Sequence, residues 1–431
     1  MKLKKEIKIF LHLDLDSFFI SAEIITKPYL RDVPCAVGGR SQLSLFDKER
    51  TPNGVKLAQN NNSGAFVTPI FHSQKEKTFE NTFLDEKGNP RGIITTCNYP
   101  ARAKNVKTAM SLAQALQICP ELVILPSNYP LYHDISENIR NYLESVVPHV
   151  ESFSIDEWFL SVSGWIDECD VYNFALFLQD EVYKRFGIPS SIGICKTSKW
   201  IAKLSTSWAK PYGVYEVKDV DTFIKDIPIG KFPGIGSQYE KRLLSYGISH
   251  LGDIKQNKSL FYSWKKPGIQ LYERVLGIDN EPIELRQERK SIGISRTFDR
   301  IIDKHEVYRR IMVLARHICY MVSQLNVNPT TYYLKINYTY NQSVKQSKKV
   351  QRLFSEDLFK TELHIMFDEI ALQSGSVIKI SLSVSNFSHQ KHQAVSLIDF
   401  EEDVKAAKLT DAMNLLRDKF GIDIIKSGSE M

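Results

Sequence analysis

Residues 150–162 read VESFSIDEWFLSV, an aromatic and β-branched run that carries two adjacent carboxylates in its middle. Such a run favours a strand entering a hydrophobic core, where an unpaired charge is costly. Adjacent strand residues point to opposite faces, so Asp156 and Glu157 can share a ligand only near a strand end or a turn. Two compatible interpretations follow, a tight hairpin with acidic turn residues and a site for divalent metal ions.

A second acidic strand end, LHLDLDSFFISAE at 11–23, strengthens the metal interpretation. Asp14 ends the apolar run, whereas Asp16 is interpreted as a local hydrogen-bonding residue rather than a first-choice ligand. Asp14, Asp156 and Glu157 are therefore candidate ligands for two Mg²⁺ ions, with Mn²⁺ as an alternative. Such ions bridge nucleotide phosphates and activate a 3′-hydroxyl.

The composition is that of a globular protein, with 431 residues of which 43% are hydrophobic and 25% charged. A net charge of +6 permits a polyanionic partner without requiring one. Six scattered cysteines without a CxxC pair favour reduced thiols over disulfides or a zinc site. No run approaches the ~20 apolar residues of a membrane span, and no secretory signal is recognised. We therefore expect a cytoplasmic protein without membrane contact.

Strand and helix patterns alternate before residue 228, which predicts a sheet with helices on one face. The polar stretch 40–92 interrupts this pattern and is interpreted as an insertion or mobile loop. Short helices broken by glycines follow residue 228. The last part of the chain has its own helix and strand pattern, including two strands predicted at TTYYLKINYTY and SKKVQRLF. This predicts a separate α+β module.

Six motifs, in the same order along the chain, resemble those of the Y-family translesion DNA polymerases, the UmuC/DinB superfamily. They are LHLDLDSFFISAE, TTCNYPARAKNVKTAM, SIDEWFLSV, SIGICKTSKWIAKLSTSWAKPYGV, PGIG and RKSIGISRTF. The resemblance implies a bacterial, low-fidelity, template-directed DNA polymerase that acts as a monomer on primer-template DNA with dNTPs. It also implies a cytoplasmic or nucleoid location and a role in the SOS response, with SOS accessory proteins as further partners.

The same resemblance implies an α+β multidomain, right-hand polymerase fold. Its parts are a ferredoxin-like palm, small fingers, a helix-hairpin-helix thumb and an α+β little finger. The corresponding segments are palm 1–30 and 120–226, fingers 31–119 with the insertion at about 40–92, thumb 227–288, linker 289–298 and little finger 299–431.

Site residues follow from matching these motifs residue by residue. Asp14, Asp156 and Glu157 resemble the catalytic metal ligands, to which the backbone carbonyl of Leu15 would be added. Residues resembling the nucleotide pocket are Phe18, Phe19, Thr96, Tyr99, Arg102 and Lys210. Hydroxyl, phenol and guanidinium groups suit phosphate oxygens. Phe19 matches the steric gate that excludes a ribose 2′-OH, although adjacent aromatics at a helix start are usually core residues.

DNA contacts are expected from a Gly-x-Gly turn, whose N–H groups can approach a phosphate, and from basic residues on the last module. A helix C-cap turn and a solvated polar face are the respective alternatives. The candidates are Gly234, Gly236, Lys241, Arg242, Arg289, Lys290, Arg296, Arg300, Lys345, Lys348, Lys349 and Arg352.

Residues 42–46, QLSLF, resemble the pentapeptide motif with which bacterial polymerases bind the sliding clamp. Gln42, Leu43, Leu45 and Phe46 would enter a hydrophobic groove of the clamp. Clamp motifs in the family more often lie at the C-terminus. The alternative is an apolar patch that packs back onto the fingers.

Two other functions compete with a polymerase. A catalytically inactive DNA- and clamp-binding adaptor would not need the three acids, which this chain retains. A nucleotidyl cyclase shares paired acids and a palm-like sheet, but it has no use for the helix-hairpin-helix or the last module.

Overall fold

The computed structural model describes residues 8–41, 44–46, 55–56, 70–71, 78–85, 87–285, 289–370, 375–388 and 399–431. Residue contacts divide the chain into two compact units. The first contains the residues up to 39 and from 79 to 287, and the second contains the described residues between 40 and 78 and those from 288 onward. None of the helices within these ranges has the length and hydrophobicity that crossing a membrane requires.

The secondary structure alternates between short strands and helices in the first unit and has longer elements in the second. The strands are β1 (Phe10–Leu15), β2 (Cys35–Gly39), β3 (Val55–Lys56), β4 (Ile70–Phe71), β5 (Ile93–Cys97), β6 (Val123–Pro126), β7 (His149–Ser152), β8 (Glu157–Ser161), β9 (Ser190–Cys195), β10 (Val214–Val217), β11 (Ser291–Ile301), β12 (Asn328–Tyr338), β13 (Ser343–Lys349) and β14 (Val377–Ser388). The helices are α1 (Phe18–Thr26), α2 (Phe79–Phe83), α3 (Tyr99–Ala103), α4 (Leu112–Ile118), α5 (Tyr129–Val146), α6 (Val171–Phe186), α7 (Lys199–Ala209), α8 (Val220–Ile224), α9 (Ser237–Leu244), α10 (Lys258–Ser263), α11 (Lys265–Val275), α12 (Lys304–Leu325), α13 (Glu356–Glu369) and α14 (Phe400–Phe420).

A five-stranded sheet of order β10-β9-β1-β8-β7 forms the centre of the first unit. Leu11 and Leu13 of β1 share a core with α5 and α6, whereas His12 faces α7 and bonds to Thr206. Helices therefore cover both faces, and the prediction of helices on one face is wrong. Gly193 permits the close approach of α7, because a Cβ there would lie 2.1 Å from the carbonyl oxygen of Ala202.

The acidic pair lies at the turn of the β7–β8 hairpin. The N–H groups of Phe153 and Ser154 both donate to the carbonyl oxygen of Glu157, at 2.9 and 3.2 Å, and the two strands pair antiparallel. The hairpin interpretation is thus confirmed. The acids stand at the end of a strand whose Trp158, Phe159 and other apolar side chains are buried.

A second sheet, of order β5-β2-β6, lies in the same unit. Phe83 of α2 is fully buried in its core, and Leu84 bridges to Pro90. Phe79 and Phe83 therefore pack in this core, so this part of the polar stretch 40–92 is a folded helix and not a mobile loop. The apolar spacing of Phe79 and Phe83 is one helical turn, which is easily overlooked in a polar stretch.

The second unit is built on an antiparallel sheet of order β11-β14-β12-β13, with a core shared by α12 and α13. Strand β11 begins at Ser291, so most of the linker predicted at 289–298 is a strand. Its alternating buried residues, from Ile292 to Phe298, are typical of a sheet with one covered face. Strand β13 covers 343–349, so the strand predicted at SKKVQRLF starts four residues too late and ends too late.

The clamp-motif segment lies in the second unit. Gln42 and Leu43 fall outside the described residues, and Ser44–Phe46 forms a 3-10 turn. The side chains of Leu45 and Phe46 are 3% and 4% exposed and belong to the core around β11 and α12. The alternative that this patch packs onto the fingers is therefore wrong, since its partner is the C-terminal unit.

Candidate active site

Three carboxylates meet where β1, β8 and the hairpin turn adjoin. Asp14 is the direct cross-strand partner of Glu157, and the N–H of Leu15 donates to the carbonyl oxygen of Asp156 at 2.9 Å. The hydroxyl of Ser154 donates to Asp156 Oδ1 at 2.5 Å. The structure therefore brings together the three acids that the sequence predicted as metal ligands.

Two lysines, one within α7 and one directly after it, pair with two of the three acids. Lys210 Nζ lies 2.5 Å from Asp14 Oδ1, and Lys203 Nζ lies 2.5 Å from Glu157 Oε1. Lys203 is also 3.4 Å from Nε2 of the buried His12. Because burial and the two lysines lower the pKa of His12 well below its ordinary value, that imidazole is neutral and can accept from Lys203.

The carboxyl groups of Asp14 and Asp156 hold their protons more tightly than free aspartic acid. Burial raises the pKa of Asp14 to about 7, the nearby Glu157 carboxylate adds to the rise, and Lys210 opposes it. Burial likewise raises the pKa of Asp156, with Ser154 opposing. Clustered carboxylates of this kind carry uncompensated negative charge when ionised, which a divalent cation would balance.

The chemistry of these oxygen donors fits Mg²⁺ or Mn²⁺. Across the part of the chain that the structure describes, no three His, Cys, Asp or Glu side chains already form a ligand set. Asp14 and Glu157 are bonded to lysines, so a bound ion would require these two side chains to exchange partners.

A polar cavity of about 190 Å³ opens beside the acids. Most of the residues predicted for the nucleotide pocket line it. The lining is Asp14, Leu15, Ser17, Phe18, Phe19, Thr95, Thr96, Arg102, Thr108, Asp156 and Lys210. Tyr99 is absent from this lining because its hydroxyl turns toward Asp16, 3.4 Å from Oδ1. Glu157 is likewise not part of the wall.

Arg102 and Asp16 are held by hydrogen bonds from the surrounding chain. Arg102 Nε donates to the carbonyl oxygen of Cys97 at 3.1 Å, which fixes the plane of its guanidinium. Asp16 is 1% exposed and accepts from Ser191 Oγ at 2.7 Å and from the N–H of Tyr212 at 2.9 Å. Asp16 is thus bonded internally, as the sequence interpretation expected, and it lies just beyond β1, which ends at Leu15.

The two phenylalanines of α1 have different environments. Phe18 is 2% exposed and belongs to the main core, while its side chain still borders the cavity. The ring of Phe19 stacks on Tyr132 with centroids 4.5 Å apart and planes at 12°. This stack fixes the ring of Phe19 at the cavity wall.

Sequence reasoning missed several side chains of this site. Ser17, Thr95 and Thr108 line the cavity, and Lys203 bonds to Glu157. Lys203, Thr206 and Lys210 follow one another at spacings of three and four residues, which places them on one side of a helix. That spacing is the signal by which Lys203 was predictable.

The glycine turn before α9 is open to solvent. Gly234 has φ of +97°, in the left-handed region that favours glycine. A Cβ at Gly234 or Gly236 would meet nothing within 4 Å, so a ligand can approach the backbone there. Lys241 is exposed, and the guanidinium of Arg242 lies 4.0 Å from the Trp264 ring centroid.

Three basic residues predicted for the DNA-binding face of the C-terminal sheet do not lie there. Arg296 is 9% exposed, and this burial lowers its pKa to about 10. Lys348 pairs with Glu362 at 2.5 Å, and Arg352 pairs with Asp403 at 2.6 Å. Arg296 and Lys348 lie on the covered side because residues of even number on β11 and β13 face the helices, and Arg352 lies beyond the end of β13.

The opposite face of this sheet is basic and hydroxyl-rich. Lys345 and Lys349 of β13 are exposed on it. Lys335 is the cross-strand partner of Lys345, and Lys379 pairs with Asn337 on the same face. The sequence prediction included the first two lysines and missed Lys335 and Lys379. Of the other predicted contacts, Lys290 and Arg300 are exposed and Arg289 is partly buried.

Comparisons with known proteins agree with this arrangement. The impB/mucB/samB family matches residues 70–207, the IMS family HHH motif matches 217–248, and the impB/mucB/samB C-terminal domain matches 289–397. The chain is 30% identical to DNA polymerase IV of Shewanella frigidimarina over 67% of this chain and 68% of that protein. It is 28% identical to DNA polymerase IV of Mannheimia succiniciproducens, over 68% and 70%.

Solved structures share the fold. A Y-family DNA polymerase chimera of Dbh and Dpo4 superposes with a TM-score of 0.69 at 22% identity, covering 88% of this chain and 98% of the chimera. DinB from Sulfolobus solfataricus superposes with a TM-score of 0.52 at 20% identity, covering 90% and 100%. The chain therefore has the right-hand, multidomain α+β fold.

The raised pKa of Asp14 predicts how stability depends on pH without metal ions. Its folded-state pKa of about 7 exceeds the ordinary value near 4, so bound protons stabilise the fold at low pH and this contribution is lost as pH rises to about 7. In EDTA, we expect Asp14→Asn to be more stable than wild type at pH 8 by on the order of 2 kcal/mol. This is less than the full shift in the pKa of Asp14 would give, because neighbouring carboxyl groups titrate together with it. The difference should shrink at pH 5.

Urea unfolding at both pH values measures this effect. Asp32→Asn, at an exposed position, is the matched control and should not change the pH dependence. Equal stabilisation by Asp14→Asn at pH 5 and pH 8 would contradict the assignment.

Proposed function

Since the chain belongs to the impB/mucB/samB family of Y-family DNA polymerases and is a DNA-directed DNA polymerase of the translesion type, we propose that it adds dNTPs to a primer end by two-metal phosphoryl transfer. The observation that carries this proposal is the meeting of Asp14, Asp156 and Glu157 beside a polar cavity. In the proposed roles, these acids and the carbonyl of Leu15 hold two Mg²⁺ ions, with Mn²⁺ as an alternative. Bound ions would supply Lewis-acid activation of the 3′-hydroxyl and charge neutralisation at the pyrophosphate.

The protein's own groups bind and orient the triphosphate. Thr96 and Arg102 present a hydroxyl and a guanidinium to the cavity, and both groups suit phosphate oxygens. Lys210 would move from Asp14 to a phosphate, since its ammonium is a flexible point charge. Tyr99 supports the pocket from behind through its bond to Asp16.

The remaining properties are proposed with the same mechanism. The exposed glycine turn and the lysine face of the C-terminal sheet would hold primer-template DNA through its phosphates without reading sequence. The proposed polymerase inserts dNTPs opposite damaged template bases with low fidelity. It is proposed to act as a monomer in the cytoplasm and to be activated by SOS accessory proteins. The division into palm, fingers, thumb and little finger is proposed as well.

We also propose that QLSLF tethers the chain to a bacterial sliding clamp. A leucine and a phenylalanine on a short turn are suited to an apolar groove of a partner. Because Leu45 and Phe46 are buried in the C-terminal unit, this binding requires the turn to leave its present site.

Loss of the acidic pair tests the catalytic proposal. We expect Asp156→Asn combined with Glu157→Gln to reduce primer extension with Mg²⁺ and dNTPs by at least about 10³-fold, because the ion-binding charge is removed at unchanged shape. Asp167→Asn with Glu168→Gln changes another adjacent acidic pair, which is exposed, and should have wild-type activity.

The same assay separates the competing functions. An adaptor would bind primer-template DNA without extending it in either form. A cyclase would convert a triphosphate to a cyclic nucleotide without DNA. Either result for the wild-type chain would refute the proposed reaction.

Sugar selection is proposed to depend on the Phe19 ring. Phe19→Ala removes the ring held by Tyr132, and we expect ribonucleotide insertion relative to deoxyribonucleotide insertion to rise on the order of 10–100-fold. Phe19→Tyr keeps the ring and should keep the selectivity. Unchanged selectivity of Phe19→Ala in single-nucleotide primer extension would remove Phe19 from this role.

The lysine face predicts a measurable salt dependence of DNA binding. Replacing Lys335 and Lys379 together by Ala should reduce the slope of log affinity against log salt concentration by about 2, because two phosphate contacts are lost. Lys348→Ala is the control, since this lysine pairs with Glu362 on the other side of the sheet. An unchanged slope in the double variant, measured by fluorescence anisotropy, would place the DNA elsewhere.

A further inference from the structure

The Ser44–Phe46 turn occupies a groove of the second unit between β11 and α12. Leu45 and Phe46 are 3% and 4% exposed there. The ring of Phe46 meets Phe298 of β11 edge to face, with centroids 6.3 Å apart. The two side chains therefore fill a core position and are not a surface patch.

Two arginines of α12 close over the turn. Arg309 Nη2 donates to the carbonyl oxygen of Phe46 at 2.9 Å. The guanidinium of Arg310 lies 4.7 Å from the Phe46 ring centroid and 4.8 Å from that of Phe298. Glu306 orients both arginines, accepting from their Nε atoms at 2.7 and 2.6 Å. The turn is thus held by directed contacts in addition to apolar burial.

Ser41, three residues before the turn, contacts a sheet edge. Strand β11 is the outermost strand of its sheet, and the N–H of Thr297 donates to Ser41 Oγ at 3.3 Å. Exposed edges invite unwanted strand pairing. Ser41 therefore satisfies one edge donor, and the Ser44–Phe46 turn buries two apolar side chains.

The family matches cover the elements that form the groove but not the turn that occupies it. Strand β11 and helix α12 lie inside the match to the C-terminal domain, 289–397. Residues 44–46 lie outside all three family matches. The elements that form the groove thus lie inside a family match, and the turn that fills it lies in a part of the chain that none of the three matches covers.

We propose that the groove between β11 and α12 is an intramolecular receptor for the Ser44–Phe46 turn, so that the C-terminal unit and the sliding clamp compete for Leu45 and Phe46. This inference rests on the clamp binding proposed above. The same two side chains cannot occupy two grooves at once. The affinity for the clamp is therefore lowered by the fraction of molecules in which the turn is released.

A reversible crosslink tests the competition. In a Cys169→Ser background, which removes the exposed cysteine, Ser41→Cys with Thr297→Cys should form a disulfide that holds the segment in place. We expect the oxidised protein to bind an immobilised bacterial sliding clamp at least about tenfold more weakly than the reduced protein. Ser41→Cys alone is the control and should bind equally under both conditions.

Loosening the receptor should have the opposite effect. Arg310→Ala removes the guanidinium over Phe46, and we expect clamp affinity to rise roughly fivefold, the effect of losing one partly buried cation–π contact. Lys405→Ala, which removes an exposed cation of α14, should leave the affinity unchanged.

The outcomes separate the inference from the function on which it rests. Equal clamp binding in the oxidised and reduced forms, or no rise in clamp affinity for Arg310→Ala, overturns the competition. If neither the reduced protein nor a synthetic peptide of residues 38–50 binds the clamp, the clamp proposal itself fails. Binding of the peptide, together with a response to oxidation and to Arg310→Ala, supports both.

Discussion

The antiparallel pairing of β1 with β8 is the constraint on which the candidate site depends. It places Asp14 opposite Glu157, and the adjoining hairpin turn adds Asp156 at the same corner. Both faces of this sheet are covered by helices, so charged groups can emerge only where strands end. A one-residue change of register would turn one of the acids into the core.

The chemistry of the corner is a balance between desolvation and ion pairing. Burial raises the pKa of Asp14 and Asp156, while Lys210 and Lys203 each hold one acid at 2.5 Å. Removing either lysine would leave a partly buried carboxylate without a partner. This costs more folding free energy than replacing both members of the ion pair by apolar residues. The lysines therefore belong to the site as much as the acids do.

Much of this molecule was predictable from sequence, because strand ends, glycine turns and motif order are local signals. The acids, the hairpin and part of the cavity wall follow from them, whereas Ser17, Thr95 and Thr108 of the wall were missed. The errors arose where a face or a partner decides the outcome: Arg296 and Lys348 were assigned to the wrong side of the sheet, and Lys335 and Lys379 were missed. The burial of Leu45 and Phe46 depends on a unit that lies more than two hundred residues away in the chain, which no local pattern reveals.

The basic sheet face combines lysines with many serines and threonines, and its central residues carry no guanidinium fork. A lysine ammonium on a flexible stem follows a displaced phosphate, whereas the planar arginine group demands a fixed one. In the proposed DNA complex, such a surface would tolerate a duplex that is bent or swollen by a bulky adduct. Tolerance of distorted DNA would then depend on this DNA-binding surface as well as on the nucleotide pocket.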